Sequence, residues 1–96
     1  MIEIRETSQF SKWLERIADH PTKARILIRI RRLSLGLPGD VRPVGGGVSE
    51  LRIHHGPGYR VYFTMLGPTI VLLLIGGDKR TQDRDIARAI QMAQRL

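Results

Sequence analysis

The chain has 96 residues, a length that predicts one domain with one hydrophobic centre. It contains no cysteine, which excludes disulfide bonds and thiolate zinc sites and leaves three histidines as the only soft metal ligands. Sixteen basic residues, thirteen of them arginine, against nine acidic residues give a formal net charge of +7. This balance favours an anionic partner, because guanidinium groups match phosphate and carboxylate, although a merely solvated basic surface is the alternative that composition leaves open.

The sequence has no sign of a membrane protein or of a secreted one. No apolar run approaches the roughly 18 residues that a membrane-spanning helix needs. The N-terminal sequence MIEIRETSQF lacks the basic-then-apolar order of a secretory signal. Together with the absence of cysteine, these features predict a soluble cytoplasmic protein without a membrane partner.

The first two predicted elements are a strand and a short helix. Ile2 and Ile4 alternate with polar residues, which is the period of a half-buried strand. Thr7 or Ser8 is expected to cap the helix that follows. Apolar residues at i, i+3, i+4 and i+7 give this helix one buried stripe, which consists of Phe10, Trp13, Leu14 and Ile17.

A second helix is predicted from about residue 22 to residue 36, with Pro21 in its first turn. Three arginines, Arg25, Arg29 and Arg32, are spaced at i, i+4 and i+7 and give it a basic side. The following segment, GLPGDVRPVGGGVSE, is rich in turn residues. Two interpretations stay open for it, namely a mobile loop beside the next strand and a plain turn or bulge between two short strands.

The second half of the chain predicts three strands and a helix. A hairpin begins at Val48 and turns at a glycine-proline-glycine sequence. Residues 70–75 are continuously apolar, as expected of an inner strand that is covered on both faces. Thr81 is expected to cap the last helix, whose first turn contains Asp83 and Asp85.

The predicted order β-α-α-β-β-β-α is that of an α+β domain. We expect a mostly antiparallel sheet with an N-terminal helical hairpin packed on one face and a C-terminal helix. The opposite face of the sheet is expected to be open to water or to a ligand.

Two arginines are predicted to face each other across the hairpin. Pairing Leu51 with Val61 keeps the apolar residues together and sets Arg52 opposite Arg60, whereas a slip of one residue would bury a charge. Like charges at this position are unfavourable by about 0.2–1 kcal/mol, and a phosphate between them reverses the sign. The alternative is that Glu50, on the same face, is the counter-ion in a structural salt bridge.

Further polar groups are predicted to lie close to these arginines. The sequence GGDKR at the end of the inner strand places Lys79 and Arg80 at the edge of the sheet. The turn HHGPGYR adds His54 and His55 for proton transfer and Tyr59 for base stacking. The two histidines are adjacent in sequence and no acidic ligand set accompanies them, so no metal site is predicted.

The segments GDVRPVGGGVSELRIHHGPGYRVYF and LLLIGGDKRTQDRDIARA resemble the addiction-module killer proteins, the HigB-like branch of the RelE/ParE toxin superfamily. The resemblance covers nearly the whole chain and implies one toxin domain over residues 1–96. It implies a type II toxin that a cognate antitoxin neutralises, without a cofactor, and that binds operator DNA only through the antitoxin. RelE-like members enter the ribosomal A site and cut messenger RNA, and basic residues on the sheet hold the scissile phosphate.

At the matching positions, the resemblance implies that Arg52, Arg60 and Lys79 bind the phosphate and stabilise the transition state. Tyr59 and His54 are the further catalytic candidates, although no acid–base pair stands out in this sequence. An acidic antitoxin segment is expected to dock on the basic helix or to cover the sheet. The predicted RNA-binding residues are Arg25, Arg29, Arg32, His55 and Arg80.

The likeness leaves two other functions open, because ParE-like relatives inhibit DNA gyrase and cut no RNA. A non-catalytic nucleic-acid-binding module is the third possibility, and the low aromatic content of 5% argues against a stacking platform. The predicted phosphate site favours a metal-independent ribonuclease, because the 2′-OH of RNA can itself attack the phosphorus. We expect Arg60 to be an exposed strand residue whose truncation changes stability by only about 0.5 kcal/mol.

Overall fold

The structure is a computed structural model that describes residues 1–96. Five strands and three α-helices follow one another along the chain. In chain order they are β1 (Glu3–Glu6), α1 (Ser8–Glu15), α2 (His20–Ser34), β2 (Val41–Gly45), β3 (Val48–Ile53), β4 (Tyr59–Met65), β5 (Ile70–Asp78) and, after a 3₁₀ turn at Lys79–Thr81, α3 (Gln82–Gln94). None of the helices has the length and apolar character that a membrane crossing requires.

The five strands form one sheet in the order β1-β5-β4-β3-β2. Only the β1–β5 pair is parallel, so the predicted α+β fold with a mostly antiparallel sheet is confirmed. Strand β5 lies between β1 and β4, as its apolar run predicts, and residues 71–75 are buried. The predicted hairpin register is also confirmed, because Leu51 pairs with Val61 and Arg52 with Arg60.

Strand β2 is the element that the predicted order lacks. It pairs with β3 through a tight turn at Gly45–Gly47, and its register shifts between Pro43 and Gly45. The second interpretation of the glycine-rich segment, a turn or bulge between two short strands, is therefore right. Gly46 has a φ of +60°, and a Cβ there would lie 2.7 Å from the side chain of Ile90, so both conformation and space require glycine.

Helices α1 and α2 pack on one face of the sheet, as predicted. Thr7 caps α1 by accepting a hydrogen bond from the backbone N–H of Phe10 at 3.0 Å, and Asp19 caps α2 in the same way. The core on this face contains ten buried side chains: Phe10, Ile26, Ile30, Leu33, Leu51, Ile53, Val61, Phe63, Val71 and Leu73.

Helix α3 covers the other face, so the expectation of an open face is wrong. Its residues Ile86, Ala89 and Ile90 pack on a second core, which is formed with Val48, Tyr62, Leu72, Leu74 and Ile75 of the sheet. The amphipathic stripe of α3 needs an apolar surface, and this face of the sheet offers one. The cap also differs from the prediction, because Thr81 makes no side-chain cap and donates its hydroxyl to Asp85 at 2.5 Å.

Gly76 fixes the distance between helix α1 and strand β5. A Cβ at Gly76 would lie 2.2 Å from the ring of Trp13. We therefore expect Gly76→Ala to lower the free energy of unfolding by about 2–3 kcal/mol, because the overpacked indole must move. In a Trp13→Leu background the same alanine is expected to cost much less. Equal costs in the two backgrounds, measured by urea denaturation followed by circular dichroism, would contradict this contact.

Candidate functional site

A polar cleft lies at the turn between β3 and β4, and we call it the hairpin cleft. Its volume is about 440 Å³, and no hydrophobic side chain lines it. Positive φ angles at Gly56 and Gly58 turn the chain sharply, which places His54 and His55 at the mouth. The cleft is lined by His54, His55, Gly56, Pro57, Gly58, Arg60 and Lys79.

Arg60 forms one wall of the hairpin cleft from strand β4. Its side chain is only 12% exposed, and its Nη1 donates to the carbonyl of Gly58 at 3.0 Å. Its Nε lies 3.3 Å from Oε2 of Glu50, which is close enough for an ion pair. The two atoms are not aligned for a hydrogen bond. The prediction that Arg60 is exposed is therefore wrong, because α3 closes the face of the sheet on which it lies.

Glu50 is a carboxylate with no exposed surface, behind Arg60. Its Oε2 accepts hydrogen bonds from the hydroxyl of Tyr62 at 3.2 Å and from Nε2 of Gln82 at 2.9 Å. Its Oε1 lies 3.6 Å from Nη2 of Arg42 and has no hydrogen-bond partner. Burial, with a further contribution from the negative charge of Glu50, raises the pKa of Tyr62 above its ordinary value. Glu50 is thus the internal counter-ion of Arg60.

Arg52 has a different carboxylate partner. Its Nε lies 3.1 Å from both oxygens of Asp40, and its Nη2 lies 3.0 Å from Oδ1. Nε2 of His54 lies 2.5 Å from Oδ2 of the same carboxylate. Arg52 and Arg60 are therefore opposed across the hairpin as predicted, and each arginine already has a carboxylate neighbour. The alternative prediction, a structural salt bridge with Glu50, is therefore right for Arg60, and Asp40 is the corresponding counter-ion of Arg52.

Acid is expected to weaken the Asp40 contacts. The hydrogen bond from Arg52, followed by that from His54, lowers the pKa of Asp40 below its ordinary value of 3.8. A carboxylate with a lowered folded-state pKa stabilises the fold fully above its ordinary pKa and loses this effect as the pH falls through the folded-state pKa. The difference in free energy of unfolding between the wild type and Asp40→Asn should shrink as the pH falls below the ordinary pKa of Asp40. A pH-independent difference would contradict the pairing.

The basic side of α2 lies beside a second cavity of about 310 Å³, which Arg25, Arg29, Arg32 and His54 line in part. Arg29 is committed to the backbone, because it donates to the carbonyls of Arg52 at 2.5 Å and Pro38 at 2.9 Å. It therefore holds the segment that carries Asp40 against β3. Arg25 and Arg32 are exposed and form no ion pair.

The remaining predicted residues are placed differently from one another. Lys79 is exposed in the hairpin cleft and forms no ion pair. Nε2 of His55 lies 3.0 Å from the hydroxyl of Thr22. Tyr59 packs on the face of the helical hairpin, 6.4 Å from Trp13 between ring centroids, and does not line the hairpin cleft. The fold therefore brings together Arg60 of β4, Lys79 after β5, and His54 and His55 of the turn, and it leaves Tyr59 outside this group.

Arg80 forms an ion pair with Asp78, the last residue of β5. Its Nη2 lies 2.8 Å from Oδ2 of Asp78, and this contact raises the pKa of Arg80 and lowers that of Asp78. No group of three or more His, Asp or Glu side chains is arranged to hold a metal ion. Sequence reasoning missed Asp40 as a site residue, because its contact with Arg52 spans twelve positions and depends on how Arg29 anchors the connecting segment.

Fold and site together define a small basic α+β protein with a polar cleft at a sheet hairpin. The chain belongs to the family described as "Phage derived protein Gp49-like (DUF891)", which matches residues 12–96. This is a RelE-like family associated with toxin–antitoxin systems.

Two individual proteins are similar to this chain. An uncharacterized protein from Haemophilus influenzae is 46% identical over 95 residues, which cover 99% of this chain and 96% of the relative. The solution structure of a conserved hypothetical protein from Helicobacter pylori is similar with a TM-score of 0.59, covering 83% of this chain and 97% of that one. At 16% identity the second likeness concerns the fold alone.

Proposed function

We propose that this chain is the HigB-like toxin of a type II toxin–antitoxin module, a single domain over residues 1–96 that acts in the cytoplasm. Its activity is that of a ribosome-dependent, metal-independent messenger RNA endoribonuclease, which a cognate antitoxin neutralises. The observation that carries this proposal is the hairpin cleft, where Arg60, Lys79, His54 and His55 share one polar cavity of about 440 Å³. Operator DNA is bound only through the antitoxin.

The cleft has the groups that RNA cleavage by the 2′-OH requires. In this reaction the 2′ oxygen loses its proton and forms a bond to phosphorus, while the bond from phosphorus to the 5′ oxygen breaks and that oxygen takes up a proton. The enzyme must align these atoms, neutralise the negative charge on the phosphoryl oxygens and move two protons. No bound metal ion is needed for these tasks.

Lys79 and Arg60 carry the electrostatic part of the mechanism. Lys79 has no carboxylate partner, so its ammonium group is free to meet a phosphate. Arg60 is held at the wall by Glu50 and Gly58, which fixes its charge before the substrate arrives. Arg52 is 35% exposed and pairs with Asp40, and it does not line the hairpin cleft, so Lys79 and Arg60 are the cations that meet the phosphate there.

Proton transfer falls to the histidines of the turn. His54 is 74% exposed and contacts Asp40, which orients its ring. His55 lies on the other side of the cleft mouth, with Thr22 as its partner. Tyr59 is the weakest of the catalytic candidates, because it packs against Trp13 on the face of the helical hairpin.

An in vitro translation reaction followed by primer extension on the message tests this function. The proposal predicts cuts that follow the codon register, that need ribosomes and that persist in a chelator. A parallel DNA supercoiling assay tests the ParE-like alternative. Inhibited gyrase together with an intact message would overturn the ribonuclease in favour of that alternative, and no effect in either assay would leave the non-catalytic binding module.

A further inference from the structure

A further polar cavity, separate from the hairpin cleft and from the cavity beside α2, lies between α1 and α3, and we call it the α1–α3 cleft. Its volume is about 420 Å³, and it is floored by Ile75 and Gly76 of β5, where β1 no longer pairs with that strand. Trp13 lies against Gly76 because glycine leaves room for the indole. Four cationic side chains line the cleft: Lys12 of α1 and Arg16 directly after that helix, and Arg84 and Arg88 of α3.

The lining of the α1–α3 cleft has an excess of positive charge. The four cations are exposed and take part in none of the ion pairs of the molecule. Asp85 is the one carboxylate of the lining, and it is only 7% exposed, with its Oδ2 bound to the hydroxyl of Thr81 at 2.5 Å. Arg52 and Arg60 differ in this respect, because each has a carboxylate within 3.3 Å.

The spacing of the four cations is unfavourable for the helices themselves. Lys12 and Arg16 are four residues apart, as are Arg84 and Arg88, so each pair lies on one side of its helix, one turn apart. Like charges at this spacing destabilise a helix by about 0.2–0.5 kcal/mol. An extended anion bound in the cavity would neutralise both pairs and remove this repulsion.

The α1–α3 cleft and the hairpin cleft are lined by residues that are close together in the chain. Lys79 lines the hairpin cleft and Thr81 lines the α1–α3 cleft, and one 3₁₀ turn connects them. Two residues span at most about 7 Å of chain, which is short compared with either cavity. Arg60 of the hairpin cleft pairs with Gly77 of β5, the residue that follows Gly76 in the floor of the α1–α3 cleft. A flexible polyanion can therefore pass from one cleft to the other.

We propose that the α1–α3 cleft binds the phosphodiester backbone of the same nucleic-acid strand whose scissile phosphate the hairpin cleft holds. This inference rests on the proposed function, because it takes a nucleic acid as the substrate. An acidic peptide is disfavoured as the occupant, since peptide and protein interfaces rely on apolar anchors in desolvated pockets and only Trp13 and Ile75 of the lining are hydrophobic. Three arginines and one lysine with few apolar neighbours suit a backbone of repeated phosphates.

The experiment uses a fluorescent oligonucleotide of 2′-O-methyl ribonucleotides, which binds without being cut because its 2′ oxygens are blocked. Fluorescence anisotropy at a series of salt concentrations compares the wild type with Arg84→Gln/Arg88→Gln. Each lost phosphate contact removes about 0.7 from the slope of log affinity against log salt for a single strand. We expect the slope to fall by about 1.4 and the affinity to fall about tenfold near physiological salt.

The matched control is Arg31→Gln/Arg95→Gln, which removes the same charge from two exposed positions outside all three cavities. We expect it to change affinity by no more than about twofold, because distant exposed charges are screened. Circular dichroism and thermal unfolding verify that both variants are folded. Equal losses of oligonucleotide affinity in the two variants would overturn the inference. It would also be overturned if Arg84→Gln/Arg88→Gln bound the oligonucleotide normally and lost binding to a glutamate-rich peptide, because that result assigns the cleft to an acidic protein partner.

The outcome is separable from that of the proposed function. If the wild type cuts messages in translation and Arg84→Gln/Arg88→Gln binds the oligonucleotide normally, the inference about the α1–α3 cleft fails alone. If the variant loses oligonucleotide affinity and the wild type cuts no message, the cleft is supported as a nucleic-acid site and the ribonuclease proposal fails.

Discussion

Arg60→Ala is expected to lower the free energy of unfolding by about 3 kcal/mol, which is the lower end of the range for breaking a buried ion pair. The substitution leaves Glu50 fully buried without the guanidinium group that lies 3.3 Å from it. Tyr62 and Gln82 still donate to the carboxylate, and the half-exposed Arg42 stays nearby, so the loss is smaller than for an isolated charge. Urea denaturation of the two proteins measures the difference.

A double variant separates this structural role from any role of Arg60 in chemistry. Glu50→Gln/Arg60→Met removes both charges, and the glutamine carbonyl still accepts hydrogen bonds from Tyr62 and Gln82. Its stability is expected to lie within about 1 kcal/mol of the wild type, because replacing both members of a buried pair is far less costly than removing one. A change of only about 0.5 kcal/mol in Arg60→Ala would contradict the pair, and that small change is what an exposed strand residue predicts.

The activity of the double variant then has a clear meaning. Lost toxicity in Arg60→Ala alone is explained equally well by an unfolded protein. A folded Glu50→Gln/Arg60→Met protein that no longer cuts messages, together with an active Glu50→Gln single variant, assigns a role in the reaction to Arg60. A folded double variant with full activity would remove Arg60 from the group of phosphate-binding residues.

Lys79→Ala is expected to reduce message cleavage by about 10²–10³-fold, the usual cost of removing one group that stabilises the developing negative charge. Its stability should change by no more than about 0.5 kcal/mol, because Lys79 is exposed and has no ion-pair partner. The measurement is the rate of codon-linked cutting in a translation reaction at equal concentrations of folded protein.

Arg31→Ala is the matched control, since it removes one exposed positive charge from α2 outside the three cavities. It should cut messages at nearly the wild-type rate. Similar rates for Lys79→Ala and the wild type would show that the hairpin cleft does not hold the reacting phosphate in the way proposed.

Much of the fold follows from local patterns in the sequence. Period-two alternation fixes the register that opposes Arg52 and Arg60, because a one-residue slip would bury a charge. The cap at Thr7 and the start of α2 near Pro21 depend only on neighbouring residues. The inner position of β5 follows from its unbroken apolar run.

Features that depend on tertiary packing could not be predicted in this way. The stripe of Ile86, Ala89 and Ile90 shows that α3 buries one side, and it does not specify which face of the sheet receives it. Strand β2 is short and contains Pro43 and Gly45, residue types that are typical of turns. Its pairing with β3 became apparent only in the structure.

The electrostatic partners of the two arginines belong to the same group of features. Asp40 is twelve positions from Arg52 and reaches it because Arg29 ties the connection between α2 and β2, at Pro38, to the backbone of β3. Gln82 meets Glu50 only after α3 has docked on the sheet. Opposed arginines are therefore visible in the sequence, and the carboxylates that balance them are not.

The central claim is that a phosphodiester binds in the hairpin cleft. Two-dimensional ¹H–¹⁵N NMR of the labelled protein, titrated with the 2′-O-methyl oligonucleotide, tests it most directly because it needs no ribosome and no cleavage. We predict that the amide signals of His54, His55, Gly56, Gly58, Arg60 and Lys79 shift together with one saturation curve. Unmoved signals at these positions, with shifts confined to other surfaces of the protein, would contradict the account.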